Sequence, residues 1–308
     1  MPDQFSDRLL DAIDRCGAPI CVGIDPVLER LPAPVRDRVS PQSAEAGSLA
    51  SAVDAIYDFS LTVLKTVAGH VPIVKIQSAC FERYLWEGVQ AYYGLIAKAK
   101  ELGLLVIGDV KRGDIDVSAA GYAAGHLGST DAPMPDAVTV NPMLGLDAIG
   151  PFVEAAKARQ GGLFVLVRNS NAGAAQFQDA PLADGRTWSE MLADALNTVA
   201  ASPELVGRRG YSAIGAVVGA TQEHTISNLR ARLPRSIFLL PGYGAQGAAA
   251  AQTRAAFTDG RGAIVSASRS ILYAHSESRY AERFGNDWAR CVEQAVLDMK
   301  QDLRRTLE

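Results

Sequence analysis

The sequence predicts an α/β chain folded as a (β/α)8 TIM barrel with an extra N-terminal helix, and three observations carry that prediction. Eight short runs rich in β-branched residues recur along the 308 residues, each followed by an Ala-rich helical stretch. Most of these runs lack polar alternation, as strands do when helices cover both faces of a parallel sheet. A glycine-rich turn follows the seventh run and an arginine follows the eighth, the place where closed barrels commonly hold an anion. An open doubly wound sheet would share the first two features but not the third.

The elements follow in order. An amphipathic helix is expected over about residues 4–16, before the first strand. The apolar runs are ICVGID (20–25), PIVKIQ (72–77), LLVIGDVK (104–111), DAVTVN (136–141), LFVLVRN (163–169), AIGAVVGA (213–220), IFLLPG (237–242) and AIVSAS (263–268). Between them, Ile56, Phe59, Val63, Leu64 and Val67 share one helical stripe, as do Trp188, Met191, Leu192, Ala195 and Leu196. Trp288, Val292, Val296, Met299 and Leu303 repeat the pattern in the last helix. Residues 32–48, rich in Pro, Ser and Gly, read as a surface insertion, and residues 171–187 as a long loop. One barrel spanning 1–308 accommodates all of this.

Bulk properties narrow the function. The formal net charge is −4, with basic residues scattered, so neither nucleic acid nor an anionic membrane is an expected partner. No apolar run approaches bilayer length, and the N-terminus shows neither a basic n-region nor an apolar h-region. Cys16, Cys21, Cys80 and Cys291 form no CxxC pair, and a reduced cytoplasmic setting fits best. The four histidines have no ligand spacing and no GxSxG elbow is present, so neither a metal site nor a serine nucleophile is expected.

Charges are rare inside buried strands, which makes those at strand C-terminal ends informative, because the active site of a parallel barrel lies there. Asp25 closes the first run, Lys75 lies near the end of the second, and Asp109 and Lys111 end the third. Asn141, Asn169, Ser170 and Arg269 follow later runs. In GDVKRGDI (108–115), Asp109 and Lys111 are i and i+2 on a strand and therefore share a face, with Asp114 in a loop opened by Gly113. An isolated DxK reads most simply as a structural ion pair. The full DxKxxD, with Lys75 and Asp25 on neighbouring strands, reads as a site. In PGYGAQGA (241–248), Gly242, Gly244 and Gly247 satisfy GxGxxG. The dinucleotide reading fails, because the segment belongs to the seventh unit and no acid closes the next strand. A phosphate cradle fits better, with Gln246 adding an amide and Arg269 a bidentate guanidinium.

These segments resemble the orotidine 5′-phosphate decarboxylase family, closest to its longer bacterial type, from CVGIDP (21–26) through VKIQSACFERY (74–84), GDVKRGDI, VRNSNAG (167–173) and PGYGAQG to SASRSILYA (266–274). The resemblance implies a cofactor-free decarboxylase acting on orotidine 5′-phosphate, in a barrel that dimerises so that each site is completed by the neighbouring subunit. It implies that Asp25 and Lys75 contact the ribose and that Lys75, Asp109, Lys111 and a partner-supplied Asp114 form an alternating charged network. Ile115 and Ser118 would also come from the partner, Ser118 standing where the family commonly has Thr. Asn169 and Ser170 would bind the pyrimidine, and Gln246, Gly247, Ser268 and Arg269 the phosphate. Lys111 would protonate C6. Two rivals share the pattern. A Mg2+-dependent phosphosugar decarboxylase or aldol-type synthase would carry an acid where Lys75 stands, and a non-catalytic nucleotide sensor would not need the whole charged set.

Overall fold

The computed structural model describes residues 3–39, 49–128, 131–219, 223–243 and 250–307. Eight strands, β1 (Ile20–Ile24), β2 (Ile73–Gln77), β3 (Leu105–Arg112), β4 (Ala137–Val140), β5 (Gly162–Arg168), β6 (Ile214–Val218), β7 (Phe238–Pro241) and β8 (Ala263–Ala267), close into a barrel in sequence order. All pairs are parallel, and β1 meets β8 with Cys21 beside Ser266. Each strand coincides with one of the apolar runs, because both of its faces are covered. Residues such as Val22, Val74, Val165 and Val265 pack outward on the helices, while Cys21, Ile73, Ile107, Phe164 and Ile264 fill the interior.

The N-terminal helix, α1 (Phe5–Cys16), stoppers the floor of the barrel. Phe5 meets Phe164 edge-to-face, with centroids 6.0 Å apart. Gly162 makes room for it, since a Cβ there would lie 2.2 Å from the Phe5 ring. Fully buried Asp7 accepts the Arg208 and Arg209 backbone N–H groups at 3.1 and 2.9 Å, which ties the β5–β6 connection to α1. The closed floor leaves the opposite end, where the strands terminate, as the open mouth.

Two sequence expectations need correction. In the helix Trp188–Ala200 the buried side is Ser189, Leu192, Ala193, Leu196 and Ala200, whereas Met191 is exposed and Ala195 only partly covered. Leu192 and Leu196 bury as expected, and the small Ser189, Ala193 and Ala200 complete the face that approaches β5 and β6. Residues 171–187 are not a bare loop, for they contain the helix Ala174–Gln178 and a bridge between Pro181 and Thr187. The described part of the 32–48 segment lies mostly at the surface, as expected, with the turn Ala33–Arg36 anchored by Val35 in the core. Residues 40–48 lie outside the described residues. No described helix is long and apolar enough to cross a membrane.

Candidate active site

Asp109 is the hub of the mouth. Strand register places Lys75 beside Ile107 and Gln77 beside Asp109, so the second and third strands deliver their polar residues side by side. The Lys75 ammonium donates to Asp109 Oδ2 and lies 3.7 Å from Asp25 Oδ1. Lys111 Nζ is 2.5 Å from Asp109 Oδ1. Gln77 Nε2 donates to Oδ2 at 3.0 Å and the Thr139 hydroxyl to Oδ1 at 2.9 Å. The hub carboxylate thus binds two ammonium groups, an amide and a hydroxyl. Such a buried network is stable only when its members are satisfied.

Lys111 and Asp109 do meet, as the i, i+2 spacing anticipates, but not through a regular pleat. The β3–β4 register shifts between Gly108 and Arg112, and Lys111 adopts φ 45°. A non-glycine residue in the left-handed region costs on the order of 1 kcal/mol or more and persists where the surroundings demand it. Here Thr139 fills the gap. Its hydroxyl accepts the Lys111 N–H at 2.9 Å while donating to Asp109.

Burial opposes the charged form of Asp109, but Lys75 and Lys111 outweigh it and hold the carboxyl well below the usual carboxylate range. Burial likewise opposes the Lys75 ammonium, and Asp109 and Asp25 reverse the balance and raise it above its ordinary value. Replacing Asp109 by Asn strands a buried ammonium, so D109N is expected to lose about 3 kcal/mol of unfolding free energy at pH 7. The deficit should narrow as pH falls below 3.8, where wild type progressively surrenders the stability of its depressed carboxylate. The raised Lys75 acts oppositely, its contribution being intact below 10.5 and lost as pH climbs through its folded value. Urea titrations of both proteins at pH 7 and 3 measure this.

The remaining site residues divide. Asn169 and Ser170 follow β5, with the Asn169 N–H donating to Gln178 Oε1 at 2.7 Å. Asn169 borders a largely apolar cavity of about 400 Å³ shared with Asn141, Leu166, Phe177 and Trp188. Ser268 sits over Gly23, its hydroxyl buried and unpartnered among the described residues. Arg269 is exposed and opens on a cleft of about 650 Å³ with Arg30, Tyr243 and Tyr273. Neither lysine lines that cleft, so the charged hub and not cavity volume marks the centre. Asp114, Ile115 and Ser118 are not brought to the lysines of their own chain. Asp114 accepts its neighbour Ile115 N–H at 2.8 Å, and Ile115 and Ser118 face outward. Gly242, directly after β7, has φ 106°, which glycine adopts without strain, whereas Gly244, Gln246 and Gly247 lie outside the described residues.

Sequence reasoning missed Gln77, Thr139 and Arg168. Gln77 stands two residues after Lys75 and so shares its strand face, a signal that was available. Thr139 carries the only hydroxyl of its run. Arg168 ends β5 and grips Asp179 at 2.7 and 2.8 Å, folding the following segment back toward Asn169. The cysteines behave as packing residues: burial pushes the Cys21 thiol up to about 12 and Cys80 to about 11, where neither is a ready nucleophile. Among the described residues no three His, Cys, Asp or Glu side chains gather as a metal would require.

A family model described as orotidine 5′-phosphate decarboxylase / HUMPS family matches residues 18–284. An orotidine 5′-phosphate decarboxylase of Rhodopirellula baltica is 39% identical over 306 residues, covering 97% of this chain and 99% of the relative. One from Caldicellulosiruptor saccharolyticus is 37% identical over 281 residues, 88% and 90% of the two chains. A crystallised Streptomyces avermitilis protein assigned to the same activity superposes with TM-score 0.78 at 32% identity, covering 99% and 96%. The Leishmania donovani OMP decarboxylase structure, at 24% identity and TM-score 0.70, shows the fold alone. Barrel, charged hub and matches together define a (β/α)8-barrel enzyme. The chain belongs to the orotidine 5′-phosphate decarboxylase / HUMPS family.

Proposed function

We propose that this protein decarboxylates orotidine 5′-phosphate to UMP and CO2, the last step of de novo pyrimidine nucleotide synthesis, as a cofactor-independent, cytoplasmic enzyme whose whole chain works as one barrel. The observation that carries the proposal is Asp109 holding Lys75 and Lys111 at the mouth. When the C6–carboxylate bond breaks, its electron pair stays on C6 in the ring plane, where no neighbouring π system accepts it. Fixed charge must stabilise the carbanion, and preorganised electrostatics is the effect best able to do so. Lys111 faces that charge and transfers an ammonium proton to C6. The resulting amine regains a proton from water, which its half-exposed side chain reaches.

Asp25 and Lys75 seat the ribose, Asn169 and Ser170 read the pyrimidine, and Gln246, Gly247, Ser268 and Arg269 hold the phosphate. Binding energy from these remote groups is expressed at the reacting carbon. Asp114 joins the hub from a second copy of the chain, accompanied by Ile115 and Ser118. Support comes from the surface around that loop, where Ile115 is 50%, Val117 86% and Met143 66% exposed, an apolar patch of the kind that marks a subunit interface. Lys75, held charged by its acids, opposes the metal-dependent rival by occupying the place of a metal-binding acid.

The decisive assay incubates purified, chelator-treated protein with orotidine 5′-phosphate and follows loss of orotate absorbance and appearance of UMP. Turnover unaffected by EDTA is expected. Loss of activity on chelation would instead favour the Mg2+-dependent class, and a flat trace a nucleotide sensor.

A further inference from the structure

Arg269 and Asp25 stand on opposite sides of the seam where the barrel closes, and one buried side chain links them. Tyr273 directly follows the helical turn Arg269–Leu272, and its own N–H donates to the Arg269 carbonyl at 3.1 Å. Its side chain crosses to the segment after β1. There the hydroxyl accepts the Val27 N–H at 2.8 Å and donates to the Asp25 carbonyl at 3.1 Å. The ring is 2% exposed, stacks on Phe59 at 6.3 Å and carries the Arg30 guanidinium 4.1 Å above it. By contrast Asp25 Oδ1 is buried with no hydrogen-bond partner among the described residues, Lys75 Nζ standing 3.7 Å away. With no hydrogen bond on that oxygen, its aim rests on the Lys75 ion pair and on the backbone, which Tyr273 clamps on both sides of Pro26.

We propose that Tyr273 is a positioning residue, whose hydroxyl couples the seat of the phosphate-binding arginine to the aim of the ribose-binding acid. The inference rests on the functional reading above, which assigns those two roles. Burial pushes the phenol up to about 12, so the hydroxyl stays protonated and can donate and accept at once at neutral pH. Anchoring phosphate on Arg269 then steadies Asp25 through one covalent turn and two hydrogen bonds. The energy of a remote contact reaches the ribose without a loop movement. Tyr273 touches no substrate in this scheme; it acts through Asp25.

A double-mutant cycle tests it, with orotidine 5′-phosphate kinetics measured for wild type, Tyr273→Phe, Asp25→Asn and the double variant. Tyr273→Phe keeps the stacked ring, so its melting temperature should stay within a few degrees of wild type while kcat/KM falls about tenfold, the loss of one to two hydrogen bonds' worth of placement. In the Asp25→Asn background the same change should cost less than about twofold, because the group it aims is already gone. Losses that multiply, a Tyr273→Phe enzyme as active as wild type, or one that no longer folds would each overturn the positioning role. A wild-type protein that produces no UMP would overturn the functional reading and this inference with it. Multiplying losses in an active wild type would remove Tyr273 alone.

Discussion

Lys111→Ala is expected to abolish turnover, with kcat lowered by roughly 10⁵-fold as both an electrostatic stabiliser and a proton donor are removed. Binding of UMP should survive within a few-fold. The two hub lysines look equivalent by charge but differ in access. The Lys75 side chain is 10% exposed and the Lys111 side chain 45%. A proton donor must reach the substrate and be recharged from water after each cycle, which only Lys111 can do. Lys75 is locked between Asp109 and Asp25 and held protonated, so it supplies fixed charge and not a mobile proton. Removing Lys111 leaves Asp109 with Lys75, Gln77 and Thr139, enough to keep the hub folded. Lys111→Arg should fail nearly as badly, since a guanidinium preserves charge but does not release a proton at neutral pH. Single-turnover kinetics with orotidine 5′-phosphate, and calorimetry with UMP, separate the two effects. Near-normal turnover of Lys111→Ala would remove this residue from the mechanism.

The contrast between those lysines was not legible in the sequence, although the residues themselves were. Charges at the ends of otherwise apolar strands stand out because little else explains them, and Asp25, Lys75, Asp109 and Lys111 are legible for that reason. The eight strands were legible for a related reason: with helices outside and α1 below, neither face of a strand has use for polar residues. What stayed hidden was geometry set by non-local contacts. Nothing in GDVKRGDI announces that Lys111 takes φ 45°, because the residue there is not glycine and the cause is Thr139 on the next strand. Nor does SASRSILYA announce that Tyr273 spans 248 positions to Asp25. Such pairs depend on β1 meeting β8, and ring closure is a property of the whole chain. Part of the inward face of Trp188–Ala200, namely Ser189, Ala193 and Ala200, stays hidden for a similar reason, since small residues become core only when something packs closely on them.

Asp114 leads to the second large expected effect, because the folded chain keeps this acid away from its own lysines. After β3 the chain passes close to β4's end at Gly113, where a Cβ would lie 2.3 Å from the Asn141 carbonyl oxygen, and Asp114 bonds its own neighbour's N–H instead of joining Lys75 and Lys111. If the acid serves a neighbour, Lys111→Ala and Asp114→Ala homodimers should each be nearly inactive, while a mixture of their subunits regains activity. In a mixed dimer one site combines Lys111 of the first subunit with Asp114 of the second and is complete; the other lacks both. Random pairing makes half the dimers mixed, each with one working site of two, so about a quarter of wild-type activity should return. Differently tagged subunits, dissociated, mixed and purified through both tags, should show about half. No recovery in doubly tagged dimers would mean that each chain builds its hub alone. Asp114 would then have to swing inward on substrate binding, at the cost of its hydrogen bond from Ile115 N–H, and the exposed Ile115, Val117 and Met143 would need another partner.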